Sequence, residues 1–120
     1  MENVAVVGAS PHPYRYSNRA MKMLEKYGHN PIPVAPERDE ILDRRAYPAL
    51  AAVPDRIDTV TMYIRPSLQR AALDDALLIK PRRVIFNPGT ENPDEYERLR
   101  KAGIEVVEAC TLVMLSTRQF

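Results

Sequence analysis

Val4-Ala5-Val6-Val7-Gly8 is four apolar residues, three of them β-branched, closed by a glycine. An unbroken apolar run of this length suits a strand covered on both faces, as inside a parallel sheet. Strict alternation would instead mark a sheet with one wet face. After a loop over residues 9–16, Ser17 stands where it can cap a helix over 18–27. In that helix Ala20, Met23, Leu24 and Tyr27 keep the three-to-four spacing of an apolar face, and Gly28 takes the left-handed closing position. Residues 30–34 read as a second strand, and prolines at 31 and 33 assign it to an edge or an early end. Strand, helix and strand in succession open an α/β fold.

The remaining elements continue the alternation. Residues 37–54 carry the weakest pattern, with Ile41, Leu42, Tyr47, Leu50 and Val53 spread among charges and alanines, and predict one or two short helical turns. Residues 59–64 are β-branched and aromatic and end at Arg65-Pro66. Ser67 is placed to cap a helix with Leu68, Ala72, Ala76 and Ile79 along one face and Pro81 as its stop. Residues 83–86 form a further strand closed by Asn87-Pro88-Gly89. Asn92-Pro93-Asp94-Glu95 is a helix-start signature in which Glu95 completes a capping box, with Tyr96, Leu99 and Ala102 buried before Gly103. Residues 104–107 make a fifth strand, and the apolar tail over 110–115 is a sixth short strand or a last helical turn. The expectation is an α/β single domain with a parallel sheet of about five strands and helices on both faces. Ligands of such folds bind beyond the carboxyl ends of the strands, where strand order reverses. The loops 8–17, 34–38, 63–67 and 86–91 therefore converge on one candidate site.

Composition narrows the partners. A chain of 120 residues fits one domain able to bury a core without disulfides or a structural metal. Lys and Arg total 17 and Asp and Glu 16, a formal net charge of +1, so no global field favours nucleic acid or an anionic membrane. No apolar stretch approaches the length of a membrane span, and no basic run precedes an apolar segment at the N-terminus, which predicts a cytoplasmic protein. Eleven prolines against four glycines mark ends, edges and first turns, because proline inside a helix or central strand removes an amide hydrogen bond.

The first loop is the place for a phosphate, since exposed amides and the positive end of a helix dipole attract anions. A dinucleotide fingerprint needs glycines at 8, 10 and 13, where the chain has Gly8, Ser10 and Pro13. A nucleoside-triphosphate loop is excluded, because no Gly-Lys-Ser/Thr occurs. Ser10, Arg15, Ser17, Asn18 and Arg19 can cradle a pyrophosphate, or Ser17 merely caps and the arginines are solvated. Pro33-Val34-Ala35-Pro36, Tyr63-Ile64-Arg65-Pro66 and Asn87-Pro88-Gly89 are rigid and apolar. They suit an adenine ring or a long thin tail, or serve as ordinary strand terminators. Arg38 meets a further phosphate or solvent.

Catalytic groups are sparse. His29 follows the helix-closing Gly28 on the side away from the site, and His12 lies in the first loop without a sequence partner to orient it as a base. Cys110 is an inert core residue or the partner of a thiol at the cleft edge. Glu91 reads as solvated. No His/Cys cluster has metal-ligand spacing.

Taken in order, Gly8-Ala9-Ser10, Arg15-Tyr16-Ser17, Pro33-Val34-Ala35-Pro36, Asp39-Glu40-Ile41-Leu42, Tyr47-Pro48, Arg65-Pro66, Gly89 and Ala102-Gly103-Ile104-Glu105-Val106-Val107 resemble the small stand-alone CoA-binding proteins. These are similar to the N-terminal CoA-binding domain of the succinyl-CoA synthetase alpha subunit. The resemblance spans about the whole chain and implies a three-layer, Rossmann-like, doubly wound fold over residues 1–120. It places Gly8, Ala9, Ser10, Arg15, Ser17 and Asn18 in the loop that holds the CoA pyrophosphate. Pro36 and Arg38 follow the second strand, Ile64, Arg65 and Pro66 lie near the adenine, and Asn87, Pro88 and Gly89 near the pantetheine tail. The implied ligand is coenzyme A or an acyl-CoA, bound without catalysis by a sensor, carrier or accessory module that is a monomer or homodimer. Ala35, Asn87-Pro88 and the ending Thr111-Leu112-Val113-Met114-Leu115 depart from the family pattern. A nicotinamide- or nucleotide-dependent enzyme and a ligand-free interaction module are the two rival readings.

Overall fold

The computed structural model describes residues 1–120. Its elements are β1 (Asn3–Val7), α1 (Tyr16–Lys26), β2 (Asn30–Val34), β3 (Glu40–Ile41), β4 (Arg44–Arg45), β5 (Thr59–Met62), α2 (Arg70–Ile79), β6 (Arg83–Phe86), α3 (Tyr96–Lys101), β7 (Glu105–Glu108) and α4 (Thr111–Ser116). Five parallel strands form one sheet in the order β2-β1-β5-β6-β7, a Rossmann-like α/β arrangement, and β3 and β4 make a separate hairpin.

The apolar run of β1 is covered on both sides. Val4 and Val6 pack with Met21, Leu24 and Leu115 under α1 and α4, while Ala5 and Val7 join Leu73, Ala76 and Leu99 beneath α2 and α3. The two prolines of β2 fit its edge position. Asn30 N–H donates to Glu2 O and Val34 O accepts from Gly8 N–H, so 30, 32 and 34 are the residues bonded to β1. Pro31 and Pro33 fall on the alternate, outward set, where a missing N–H costs nothing to the ladder. The tail after β7 is helical rather than a sixth strand.

Three helix starts differ from the sequence expectation. Ser17 does not cap α1, which begins at Tyr16 with Arg15 in the cap position and no side-chain cap bond. The reason is a tight turn upstream: Arg15 N–H donates to His12 O, and Asn18 Nδ2 donates to Ser10 O at 2.9 Å, winding the chain into helix before Ser17. The buried stripe consequently runs through Ser17, Asn18, Ala20, Met21 and Leu24, leaving Tyr27 exposed. Ser67 sits inside a 3₁₀ turn over Pro66–Leu68, Leu68 is exposed, and the face of α2 that enters the core is Leu73 and Ala76. Glu95 closes no capping box, because its carboxylate is taken by Arg98 and Arg70 instead.

The stretch 37–54 holds one 3₁₀ turn at Leu50–Ala52 and, where a further turn of helix was expected, the β3–β4 hairpin. Its two-residue connection puts Leu42 at φ 52° and Asp43 at φ 61°. Such turns favour Asn-Gly, and a left-handed Leu costs roughly 1 kcal/mol or more. Leu42→Asn with Asp43→Gly is therefore expected to raise stability by about 1 kcal/mol. A higher urea midpoint at unchanged slope would bear this out, and a lower midpoint would show that Leu42 side-chain contacts outweigh the backbone strain.

Candidate functional site

Strand order reverses between β1 and β5: from β1 the chain crosses to β2 on one side, and from β5 it proceeds to β6 and β7 on the other. The connections leaving these two strands part there and open a crevice at their carboxyl ends. Gly8 forms its floor. It adopts φ +90°, and a Cβ on it would lie 2.7 Å from Ile64 Cγ2 and 3.1 Å from the Tyr63 carbonyl carbon and oxygen. Only glycine lets the loop after β1 lie flat on the loop after β5.

A cleft of about 460 Å³ rises from this floor. Gly8, Ser10, Arg15, Tyr16 and Ser17 form one wall, Tyr63, Ile64 and Arg65 the next, and Pro88, Gly89 and Thr90 the third. The amides of Tyr16 and Ser17 at the start of α1 have no acceptor in the chain, and no carboxylate pairs with Arg15 or Arg65. Free N–H groups and a helix dipole on the first wall, with the unpaired guanidiniums of Arg15 there and Arg65 on the second, give the cleft the donors an anion requires. The third wall is held from behind. Gln69, fully buried, donates through Nε2 to Ile64 O at 2.9 Å and Thr90 O at 2.7 Å, locking the second wall to the third. Glu91, exposed but not free, accepts the Gly89 amide at 2.9 Å.

Beyond Gly8 and Ile64 the cleft meets a second hollow of about 410 Å³, lined by Val7, Val34, Pro36, Pro48, Leu50, Leu68, Ala72 and Asp75. Pro36 and Pro48 then lead to a third, of about 550 Å³, with Arg38, Arg45 and Tyr47 in its walls. A cleft with unpaired guanidiniums, an apolar hollow and a hollow of mixed charge, where Asp39 and Glu40 stand beside Arg38 and Arg45, thus follow one another along the carboxyl edge of the sheet.

Of the residues picked from sequence, Gly8, Ser10, Arg15, Ser17, Ile64, Arg65, Pro88 and Gly89 line the main cleft, Pro36 lies between the second and third hollows, and Arg38 lies in the third. Pro66 is exposed at the start of its 3₁₀ turn and lines none of the three. Ala9, Asn18 and Asn87 are buried behind the walls. Asn18 ties the first loop through Ser10 O. Asn87 donates through Nδ2 to Thr61 Oγ1 at 2.7 Å and Met62 O at 2.9 Å, and its Oδ1 accepts the Thr111 amide at 2.8 Å.

Sequence reading placed Tyr16, Tyr63 and Thr90 in the converging loops without naming them as individual contacts, and it missed Gln69 and the lining of the apolar hollow after Pro48. Tyr63 follows the last residue of β5. Burial pushes its phenol up to about 12, and the hydroxyl lies beside the Thr61–Thr111 pair without closing a hydrogen bond of its own. His12 is exposed and stacks on Tyr14, which Arg15 also covers. His29 lies at the opposite end of the sheet, where Nδ1 accepts the Glu2 amide at 3.1 Å and the ring packs on Phe120. Half-buried Cys110 precedes α4, and its carbonyl accepts the Met114 amide.

Residues 2–116 match the family model of the CoA binding domain. The chain belongs to the CoA binding domain family. It is 31% identical over 107 residues to the uncharacterized protein YneT of Bacillus subtilis (strain 168), an alignment covering 88% of this chain and 78% of YneT. Over 72 residues, 60% of this chain, it is 31% identical to acetate–CoA ligase (ADP-forming) I of Archaeoglobus fulgidus, of which it spans 10%. A hypothetical protein from Pyrococcus horikoshii OT3 superposes with a TM-score of 0.90 at 32% identity, over 97% of this chain and 82% of that one. The relatives of this family member thus include both a chain of similar size and a segment of a much larger ligase. No helix of this family member is long and apolar enough to cross a membrane.

Proposed function

We propose that this protein binds coenzyme A or an acyl-CoA without transforming it, as a sensor, carrier or accessory module. The observation that carries the reading is the junction at Gly8 and Ile64 of a cleft rich in unpaired donors with an apolar hollow. A ligand that joins a pyrophosphate to a purine on one side and to a thin neutral arm on the other matches that sequence of surfaces. Arg15 and the Tyr16 and Ser17 amides would hold the pyrophosphate, the hollow beside Val34 and Pro36 the adenine, and Arg38 the remaining phosphate. Pro88, Gly89 and Thr90 would flank the pantetheine arm. The same walls supply donors and apolar surface but no base oriented toward a nucleophile: Ser10 Oγ accepts the His12 amide at 3.1 Å, and the His12 ring is stacked on Tyr14. A nicotinamide dinucleotide is disfavoured because Ser10 and Pro13 replace the glycines that allow its pyrophosphate close approach.

Isothermal titration of nucleotide-stripped protein with CoA, acetyl-CoA and NAD tests this. CoA binds, NAD is silent, and Arg15→Ala weakens CoA by about 10- to 100-fold, the range for losing a charge-assisted contact to phosphate. Heat with NAD alone, or CoA affinity unaffected by the variant, would overturn the assignment.

A further inference from the structure

The apolar hollow contains one polar side chain, Asp75, half-buried on the inner side of α2. Its Oδ2 accepts the amide of Ala51 at 3.0 Å, which leaves Oδ1 without a hydrogen-bond partner in the chain. Four of the backbone carbonyls around it are engaged: Val7 O takes Tyr63 N–H, Val34 O takes Gly8 N–H, Leu50 O takes Val53 N–H, and Ile64 O takes the Gln69 side-chain amide. The lining offers no side-chain donor at all. A flat ring entering this hollow therefore meets aliphatic side chains, two prolines and, as the one polar side chain, a carboxylate that can only accept.

Such a lining discriminates by hydrogen-bond polarity. A ring carrying an exocyclic amino group satisfies the carboxylate, whereas a ring with a carbonyl oxygen at that place brings two acceptors together in an apolar setting and leaves both unsatisfied. Resting on the CoA reading of the adjoining cleft, we propose that Asp75 selects the base: it accepts a hydrogen bond from the 6-amino group of adenine and rejects the 6-oxo purines. The Ala51 bond gives the carboxylate a second task, since it fixes the 3₁₀ turn at Leu50–Ala52 against α2 and holds the rotamer that presents Oδ1.

The test titrates the intact chain with CoA and with its inosine analogue, in which a carbonyl oxygen replaces the 6-amino group. Wild type prefers CoA by about 10- to 100-fold. Asp75→Asn keeps an oxygen for the Ala51 amide but presents an N–H₂ group to the ring, so its preference falls to near unity or inverts. A residue with only a structural role would lower both affinities together and leave their ratio unchanged, and that result would overturn the proposal. Wild-type protein with an N6,N6-dimethyladenine CoA gives a measurement independent of any variant: losing both N–H donors costs a comparable factor, and tight binding of this analogue refutes the role of Asp75. If wild type binds CoA and the inosine analogue equally, base selection fails while the CoA reading stands. If it binds neither, the CoA reading fails and base selection with it.

Discussion

Gly8→Ala is expected to destabilise the protein by about 2–4 kcal/mol, combining the cost of an L-residue at left-handed φ with that of forcing a methyl into a packed contact. The native φ is +90°, and the new Cβ would sit 2.7 Å from Ile64 Cγ2 and 3.1 Å from the Tyr63 backbone. The Ile64 methyl can give way, but the Tyr63 carbonyl, whose own residue donates its amide to Val7 O, cannot move without breaking the join between β1 and β5. Gly89→Ala is the matched control. Gly89 also has φ +90°, but nothing lies within 4 Å of its Cβ position, so only the conformational cost of about 1 kcal/mol applies. Urea denaturation of the two variants separates crowding from backbone strain. Equal midpoints would show that the close approach at Gly8 is relieved by side-chain motion alone. Because Gly8 borders both the anion cleft and the apolar hollow, its variant should lose ligand affinity even at temperatures where it remains folded.

The parts of the fold that the sequence made legible are those where one residue does one local job. Val4 to Val7 are apolar because both sheet faces are covered, and the prolines of β2 and Lys80 before Pro81 mark an edge and a helix end. The hairpin after Pro36 was hidden because its turn uses Leu42 and Asp43 rather than Asn-Gly, so no turn chemistry announces it. Two of the three misplaced helix starts trace to a tertiary partner that local capping chemistry does not announce. Asn18 winds α1 early by reaching back to Ser10 O, and Arg98 and Arg70 capture Glu95. The site was readable as a set of loops, because strand-end position depends only on periodicity. Which loop residues turn inward was not, since the direction of Asn87 and Gln69 is set by partners 20 or more residues away, at Thr111 and Thr90.

Asn87 shows how far such a hidden partner carries, and Asn87→Leu is expected to cost about 3–5 kcal/mol. The side chain is 3% exposed and makes three hydrogen bonds of 2.7–2.9 Å, to Thr61 Oγ1, Met62 O and the Thr111 amide. An apolar replacement of similar size fills the space but strands the Met62 carbonyl and the Thr111 N–H in the interior, each at roughly 1–3 kcal/mol. Thr61 Oγ1 suffers less, because it keeps the Thr111 hydroxyl at 2.8 Å. Thr111→Val removes only that hydroxyl pair and should cost about 1 kcal/mol, so the difference between the two variants isolates the amide staple. The loss is also directional. The Thr111 N–H opens α4, the Met62 carbonyl ends β5, and the Asn87 carbonyl holds Thr90 through both N–H and Oγ. With these side-chain anchors gone, the 87–90 corner and the start of α4 should show faster amide hydrogen exchange, at Thr90 and Thr111, than Leu24 of α1 or Leu73 of α2. Uniform acceleration across all four would mean that Asn87 serves global stability alone. A selective rise would identify it as the residue that keeps the third wall of the cleft in place.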